Sequence, residues 1–270
     1  MPSINGQKIL ITGASSGIGA ELAKQLGARG CQLALLARRQ DLLEELAADV
    51  EKRGGKAHIY VCDVADKEAV HSCFTKADDE LGGLDIVVLN AGVGKPTPAN
   101  DNFSSDTFEW IFKINVFGVL YGIEAILPRF RKRGHGVIVP VSSLAAYRGL
   151  PGSTAYGGSK AAVTNMMEGM RVELADQNIQ VVLVSPGFVK TPMTDKNKFD
   201  MPFLIPVEKA CRKIIRGIEK RSREVQFPFP LFAILSMAKM IPNFLWDRMT
   251  GAAAPKSKNS SKTDSSTPSP

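Results

Sequence analysis

Residues 8–19 read K-I-L-I-T-G-A-S-S-G-I-G. The first five form a short apolar run, the pattern of a buried strand. Gly13 follows at once, then two serines, then Gly17 and Gly19. From there Ile18, Leu22 and Leu26 mark one face of a helix over residues 17–28, with Gly30 as its stop. The same unit repeats down the chain. Apolar runs at 31–37, 58–62, 85–90, 136–141 and 180–185 predict five more strands. Helical spacing fills the intervals. Asp41 is placed to cap a helix with Leu42, Leu43, Leu46 and Val50 on its apolar face, and Asp66 to cap one ending near Leu81. Longer helices are predicted over about 106–131 and over 153–177.

The strands are continuous apolar runs and do not alternate. Both faces of their sheet must therefore be covered by helices, which predicts a parallel sheet. The expected fold class is α/β: a Rossmann-type doubly wound parallel sheet in three layers, a single domain with a C-terminal helical extension. After Pro186 the pattern loosens. Residues 206–223 read as a helix with a basic outer face, and residues 224–227 as a seventh strand. The expected division is 1–226 for the body, 227–254 for an apolar helical extension, and 255–270 for a disordered Ser/Lys/Pro-rich tail.

Composition removes several classes of function. Of 270 residues, 44% are hydrophobic and 23% charged, too apolar for a disordered chain. The net charge of +7 is unevenly spread. Residues 1–207 hold 22 basic and 22 acidic side chains, whereas residues 208–270 hold 12 and 5. A nucleic-acid binder would carry its positive patch on the folded body, so no nucleic-acid partner is expected. Cys31, Cys62, Cys73 and Cys211 form no C-x-x-C pair, and no histidine stands at metal-ligand spacing from them. Reduced thiols, no metal and a cytoplasmic location are expected. The first seven residues do not form a secretory signal, and no uncharged apolar stretch reaches the roughly 18 residues of a spanning helix.

The glycine turn follows a strand and opens a helix, the context in which such a turn binds a dinucleotide. Gly13 permits the tight exit, Gly17 lets backbone approach a pyrophosphate, and Gly19 lets helix pack on sheet. Ser15, Ser16 and Ile18 complete the turn, and the helix N-terminus offers N–H groups to phosphate. The second strand ends in Ala37, Arg38 and Arg39. A carboxylate there would hold the ribose hydroxyl of NAD, whereas two guanidiniums suit a 2′-phosphate, so NADP is the expected cofactor. Asp63 and Val64 end the third strand near the adenine position. Asn90, Ala91 and Gly92 end the fourth, at the same carboxyl edge.

Tyr156 and Lys160 are four apart and share a helix face. Ser143 lies thirteen residues earlier, and Asn115 in the helix before that strand. With the glycine turn, Asp63, N-A-G at 90–92, S-S at 142–143, Y-G-G-S-K at 156–160 and P-G-F-V-K-T at 186–191, the chain resembles the short-chain dehydrogenase/reductase family over about residues 6–195. The chemistry suits those residue types. Carbonyl reduction adds a hydride to carbon and a proton to oxygen. A nearby ammonium, Lys160, would lower the phenol's pKa and fit Tyr156 as acid/base. Ser143 would steady the substrate oxygen. The neighbouring Ser142 competes for that place, and the family spacing favours Ser143. The resemblance further implies that Asn115 holds a relay water, that Pro186, Gly187, Val189 and Thr191 border the cofactor, and that the protein is a homodimer or homotetramer. Pro140, inside the fifth strand, fits only where a ladder bond is absent or at a bulge.

The segment after Pro186 carries Phe188, Met193, Phe199, Met201, Phe203 and Leu204. Such a lining suits a small apolar carbonyl or alcohol substrate, although core packing would use the same residues. Residues 231–241 read as a short helix, apolar nearly all round. Such a helix is buried, sits at a subunit interface, or lies on a membrane. With the basic helix before it and Lys256, Lys258 and Lys262 after it, a peripheral contact with anionic lipid is one expectation. The leading reading is an NADP(H)-dependent oxidoreductase acting on that substrate. A non-catalytic NADP-binding sensor or scaffold, and an epimerase on the same fold, are the rivals.

Overall fold

The computed structural model describes residues 3–99, 103–197 and 200–251. Its strands are β1 (Lys8–Thr12), β2 (Gln32–Ala37), β3 (Lys56–Val61), β4 (Ile86–Leu89), β5 (Gly136–Pro140), β6 (Ile179–Val181), β7 (Leu183–Pro186) and β8 (Glu224–Phe227). The helices that connect them are α1 (Gly17–Gly27), α2 (Gln40–Lys52), α3 (Lys67–Glu80), α4 (Ser105–Phe112), α5 (Gly118–Arg133), α6 (Thr154–Glu173) and α7 (Val207–Glu219). Two more, α8 (Phe229–Ala238) and α9 (Asn243–Gly251), follow the last strand.

The sheet order is β3-β2-β1-β4-β5-β6, parallel throughout. The chain builds outward from β1 to β3, then returns to place β4 on the other side of β1. That reversal opens a crevice at the carboxyl ends of β1 and β4, where ligands bind in such sheets. One face packs Ile9, Ile11, Leu33 and Leu35 against Leu22, Leu26, Leu43 and Ile214. The other packs Leu10, Leu36, Val87 and Leu89 against Phe74, Ile123, Phe130 and Val163. The result is the doubly wound, three-layer fold read from the apolar runs.

The sixth strand, expected unbroken over 180–185, is split at Val182 into β6 and β7. Pro140 explains the split. The β5–β6 register ends at Ile138 opposite Val181, and pairing resumes as a bridge between Val141 and Val184. Pro140 lies between these rungs and has no N–H to donate, so the ladder lapses there. Beyond it the Ser142 N–H donates to the Val184 carbonyl at 2.7 Å. β7 then pairs in parallel with β8, the expected seventh strand.

Other expectations shift by a turn or less. Asp66 caps α3, accepting from the Ala69 N–H at 3.0 Å. Asp41 does not cap α2. Arg39 occupies that position and Asp41 falls in the first turn, where a carboxylate still favours the helix dipole. The long helix runs from Ser105 to Arg133 through a π-helical turn at Lys113–Phe117. Among the described residues it is the one helix long and apolar enough to cross a membrane, but half of that window is buried. It is a core helix, packed against α3 and α6. α7 is shorter than 206–223, α8 starts before residue 231, and α9 was not foreseen. The tail expected to be disordered lies outside the described residues, as does Phe199.

Candidate active site

The glycine turn is built by close approach. Gly13 has φ +65° and Gly17 φ +58°. A Cβ on Gly19 would stand 2.4 Å from the Gly13 carbonyl oxygen and 2.7 Å from Asn90 Nδ2. Asn90 Nδ2 donates to the carbonyls of Thr12 at 3.0 Å and Gly13 at 3.3 Å. Thr12 Oγ1 accepts from the N–H groups of Asn90 and Ala91, both at 3.0 Å. These bonds stitch the ends of β1 and β4 and hold the crevice open in one shape.

Along the carboxyl edge, β2, β3, β4 and β5 each deliver their expected residues. Arg39 leaves β2 and donates to the hydroxyls of Ser15 at 2.9 Å and Ser16 at 3.0 Å. It is thereby tied into the glycine turn. Arg38 stands 3.6 Å from the Asp63 carboxylate at the end of β3, and both are well exposed. β2 carries no acidic residue at its end, yet the neighbouring strand brings one close. Arg39 is thus the more firmly placed guanidinium, and Arg38 the one whose charge is shared.

Past β5 the two serines part. Ser142 Oγ donates to the Lys160 carbonyl at 2.9 Å and lies 2.7 Å from Thr164 Oγ1. It fastens α6 to the sheet. Ser143 Oγ accepts from the Ala145 N–H at 3.1 Å and lies 3.4 Å from the Pro186 carbonyl. Its hydroxyl also bears on the Tyr156 phenol. Geometry therefore separates a structural serine from one facing the tyrosine.

Tyr156 lies in the first turn of α6, and Lys160 one turn on. Thr97 holds that turn in place: its Oγ1 accepts from the Ala155 N–H at 3.0 Å, and its N–H donates to the Gly152 carbonyl at 2.9 Å. Lys160 is 4% exposed, with Nζ donating to the Val141 carbonyl at 2.9 Å and lying 5.9 Å from the Tyr156 ring centre. Burial drives the Lys160 ammonium down to about 8. It raises the Tyr156 phenol above its ordinary value, with the Ser143 hydroxyl acting the other way. This corrects the expectation that the ammonium lowers the phenol's pKa. Burial outweighs the Ser143 hydroxyl, the one group that lowers the phenol.

Asn115 sits in the π-helical turn and is fully buried. Its Oδ1 accepts from the Val93 N–H at 2.8 Å, and Nδ2 donates to the Val93 carbonyl at 2.9 Å and to Ser159 Oγ at 3.0 Å. Ser159 Oγ in turn donates to the Tyr156 carbonyl at 2.7 Å. Both amide N–H groups are thus taken by protein. The side chain is a brace between β4's exit and the tyrosine turn. A π-turn at this point agrees with the general placement of such turns at functional sites.

One cleft of about 290 Å³ brings these parts together. Gly13, Ser15, Ser16, Gly17, Ile18, Arg38, Arg39, Asp63, Val64, Asn90, Ala91, Gly92, Ser143, Tyr156, Lys160, Pro186, Gly187, Val189 and Thr191 all line it. Gly19 and Asn115 do not. They act from behind the wall, by close packing and by bracing. The sequence reading passed over Cys62, Val93, Ile114, Pro192 and Thr194, which also line it. Thr194 had a local signal, since a threonine three residues after Thr191 can close a turn. Its Oγ1 accepts from the Thr191 N–H at 2.9 Å and donates to the Val189 carbonyl at 2.7 Å. Of the apolar segment after Pro186, Met193 reaches the cleft, while Phe203 and Leu204 are exposed at 47% and 40%.

The arrangement fits an extended dinucleotide. Glycine backbone with positive φ, two hydroxyls and two guanidiniums line its β1–β2 side, and a buried lysine and a half-buried tyrosine line its β5–α6 side.

Comparison with known proteins agrees with that reading. A family model described as short chain dehydrogenase matches residues 7–201. An uncharacterized oxidoreductase of Myxococcus xanthus is 38% identical over 92% of this chain and 97% of its own length. A fatty acyl-CoA reductase of Acinetobacter baylyi is 32% identical, over 83% of this chain and 76% of its own. Among solved structures, a short chain dehydrogenase/reductase of Burkholderia phymatum in complex with NAD has the same fold, with a TM-score of 0.80 at 21% identity over 87% of this chain and 93% of that one. With the match covering the glycine turn, the serine pair and the tyrosine–lysine helix together, the chain belongs to the short-chain dehydrogenase/reductase family of oxidoreductases.

Proposed function

We propose that the protein is an NADPH-dependent carbonyl reductase for apolar aldehydes or ketones. The observation that carries this reading is the convergence of Ser143, Tyr156 and Lys160 on the same cleft as the glycine turn and the arginine pair. Arg39, anchored on Ser15 and Ser16, and Arg38 beside it would hold a 2′-phosphate. The main chain of the glycine turn, which lines the cleft, would hold the pyrophosphate. When bound, the reduced nicotinamide supplies a hydride to the carbonyl carbon.

The side chains of this protein handle the proton. Tyr156 stays protonated because burial raises its phenol, and in that form it donates to the substrate oxygen. Ser143 donates a hydrogen bond to the same oxygen as negative charge develops there. Lys160, poised near neutral pH, returns a proton toward Tyr156. Asn115, through Ser159, keeps the tyrosine turn in register. The protonated tyrosine favours the reductive direction. The similarity to a fatty acyl-CoA reductase supports an acyl-chain aldehyde as the substrate class.

The test is loss of NADPH absorbance against a series of straight-chain aldehydes, repeated with NADH. Efficiency is expected to rise with chain length, by about 0.8 kcal/mol per buried methylene until the pocket is filled. Arg38→Asp is expected to lower efficiency with NADPH by tenfold or more, on the order of one charge-assisted bond, and to leave NADH nearly unchanged. Equal losses with both cofactors would refute NADP preference. No turnover with any carbonyl would refute the reductase.

A further inference from the structure

We infer that α8 and α9 form a docking surface for an anionic lipid bilayer, laid in the headgroup region and not spanning it. α8 is apolar on every side, yet only Leu231 and Ala238 of its ten residues are buried. Phe229, Ile234, Met237, Met240, Phe244 and Met249 are exposed by 73%, 48%, 61%, 85%, 77% and 59%. Scattered apolar side chains are normal on a surface, but seven large ones between residues 229 and 249, Leu245 included, are not. At ten and nine residues the helices are far too short to cross a bilayer.

The surface is held rigidly beside the reactive cleft. Arg148, five residues after Ser143, donates to the Ile241 carbonyl at 3.2 Å and to Asn243 Oδ1 at 2.8 Å, and its guanidinium lies 5.2 Å from the Trp246 ring centre. Trp246 Nε1 donates to the Gly149 carbonyl at 3.2 Å. Phe232 meets Tyr147 edge-on at 5.8 Å, and Lys239 stacks on the other side of the junction, 4.3 Å from the same ring. A patch fastened this way does not fold back onto the body to hide its apolar side chains.

Charge chooses the occupant. Residues 229–251 carry Lys239 and Arg248 against Asp247. Immediately after α9 the sequence carries Lys256, Lys258 and Lys262 against a single acidic residue, Asp264. Two copies meeting through this segment would bring like charges together, which is costly. An anionic headgroup layer suits exposed apolar side chains followed in sequence by lysines. The surface is independent of the reaction proposed above.

The experiment is co-sedimentation of the full chain with phosphatidylcholine vesicles containing about one quarter phosphatidylglycerol, in low and high salt. Binding is expected to the mixed vesicles, much less to pure phosphatidylcholine, and to weaken with salt. Met240→Glu with Phe244→Glu, both on exposed positions, is expected to lower the bound fraction at least about tenfold while the far-ultraviolet dichroism and melting curve stay unchanged. Lys256→Gln, Lys258→Gln and Lys262→Gln together are expected to weaken binding by roughly tenfold or more. Three results would overturn the inference. One is no binding to anionic vesicles; another is equal binding to neutral ones. The third is a wild-type dimer that the double glutamate variant splits without any vesicle binding, which would make the patch an interface between copies.

Discussion

The carboxyl edge of the sheet and the α8–α9 layer are built on opposite terms. At the sheet edge the polar side chains that shape the cleft have partners, and most apolar ones are covered. Thr12, Asn90, Asn115, Ser142 and Ser159 spend their hydrogen bonds on the backbone and side chains that fix the cleft. In α8–α9 the backbone is helical, but most large side chains face outward. The first region is an interior that happens to line a cleft, and the second is a surface with the composition of an interior. Rigid placement at the edge serves proton handling, where a shift of an ångström is costly. The apolar layer has no such demand. Its stability comes from the few contacts to the loop after Ser143, and its exposed face answers to whatever covers it.

That contrast breaks most visibly at Lys160. Lys160→Ala is expected to lower turnover by about 10²–10⁴-fold. In the wild type the reductive rate should fall as pH rises through about 8, because Lys160 loses its proton there, and the variant should lose that limb. A pH–rate profile of both proteins checks this, and an unchanged limb would remove Lys160 from the proton path.

Gly19→Ala probes the packed edge without touching the chemistry. The added Cβ would meet the Gly13 carbonyl oxygen at 2.4 Å, a backbone atom that cannot swing aside. A loss of about 1–3 kcal/mol in denaturant unfolding is expected, with weaker cofactor binding. The matching change in the other region, Phe244→Ser, should shift stability by no more than about 0.5 kcal/mol, because that side chain is 77% exposed. If the second substitution cost as much as the first, α9 would be part of the core and the contrast would collapse.

The sheet was legible in the sequence because β1, β2 and β4 are buried on both faces and so read as uninterrupted apolar runs. The glycine turn was legible because close backbone approach demands that residue. The Tyr156–Lys160 pair was legible because helical spacing puts the two on one face. Other features depend on contacts between distant segments and leave no local trace. Ser142 and Ser143 are adjacent and chemically alike, and only the positions of Lys160 and Pro186 separate them. The break between β6 and β7 comes from Pro140 on the neighbouring strand. The π-turn at Asn115 closes onto Val93, across the cleft wall. The direction of the phenol shift follows from how deeply α6 is covered, and no motif encodes depth. α9 was hidden because Pro242 reads as a stop, whereas it stands just before a new helix.

The most direct measurement of the central claim is Tyr156→Phe, which keeps the ring and its packing and removes only the donor. NADPH binding, followed by fluorescence titration, is expected to stay within about threefold of wild type, since no more than one hydrogen bond to the cofactor is at stake. Single-turnover reduction of a long-chain aldehyde should fall by at least about 10³-fold. Retained reduction in the variant, within about tenfold of wild type, would contradict the account, because the proton would then come from elsewhere.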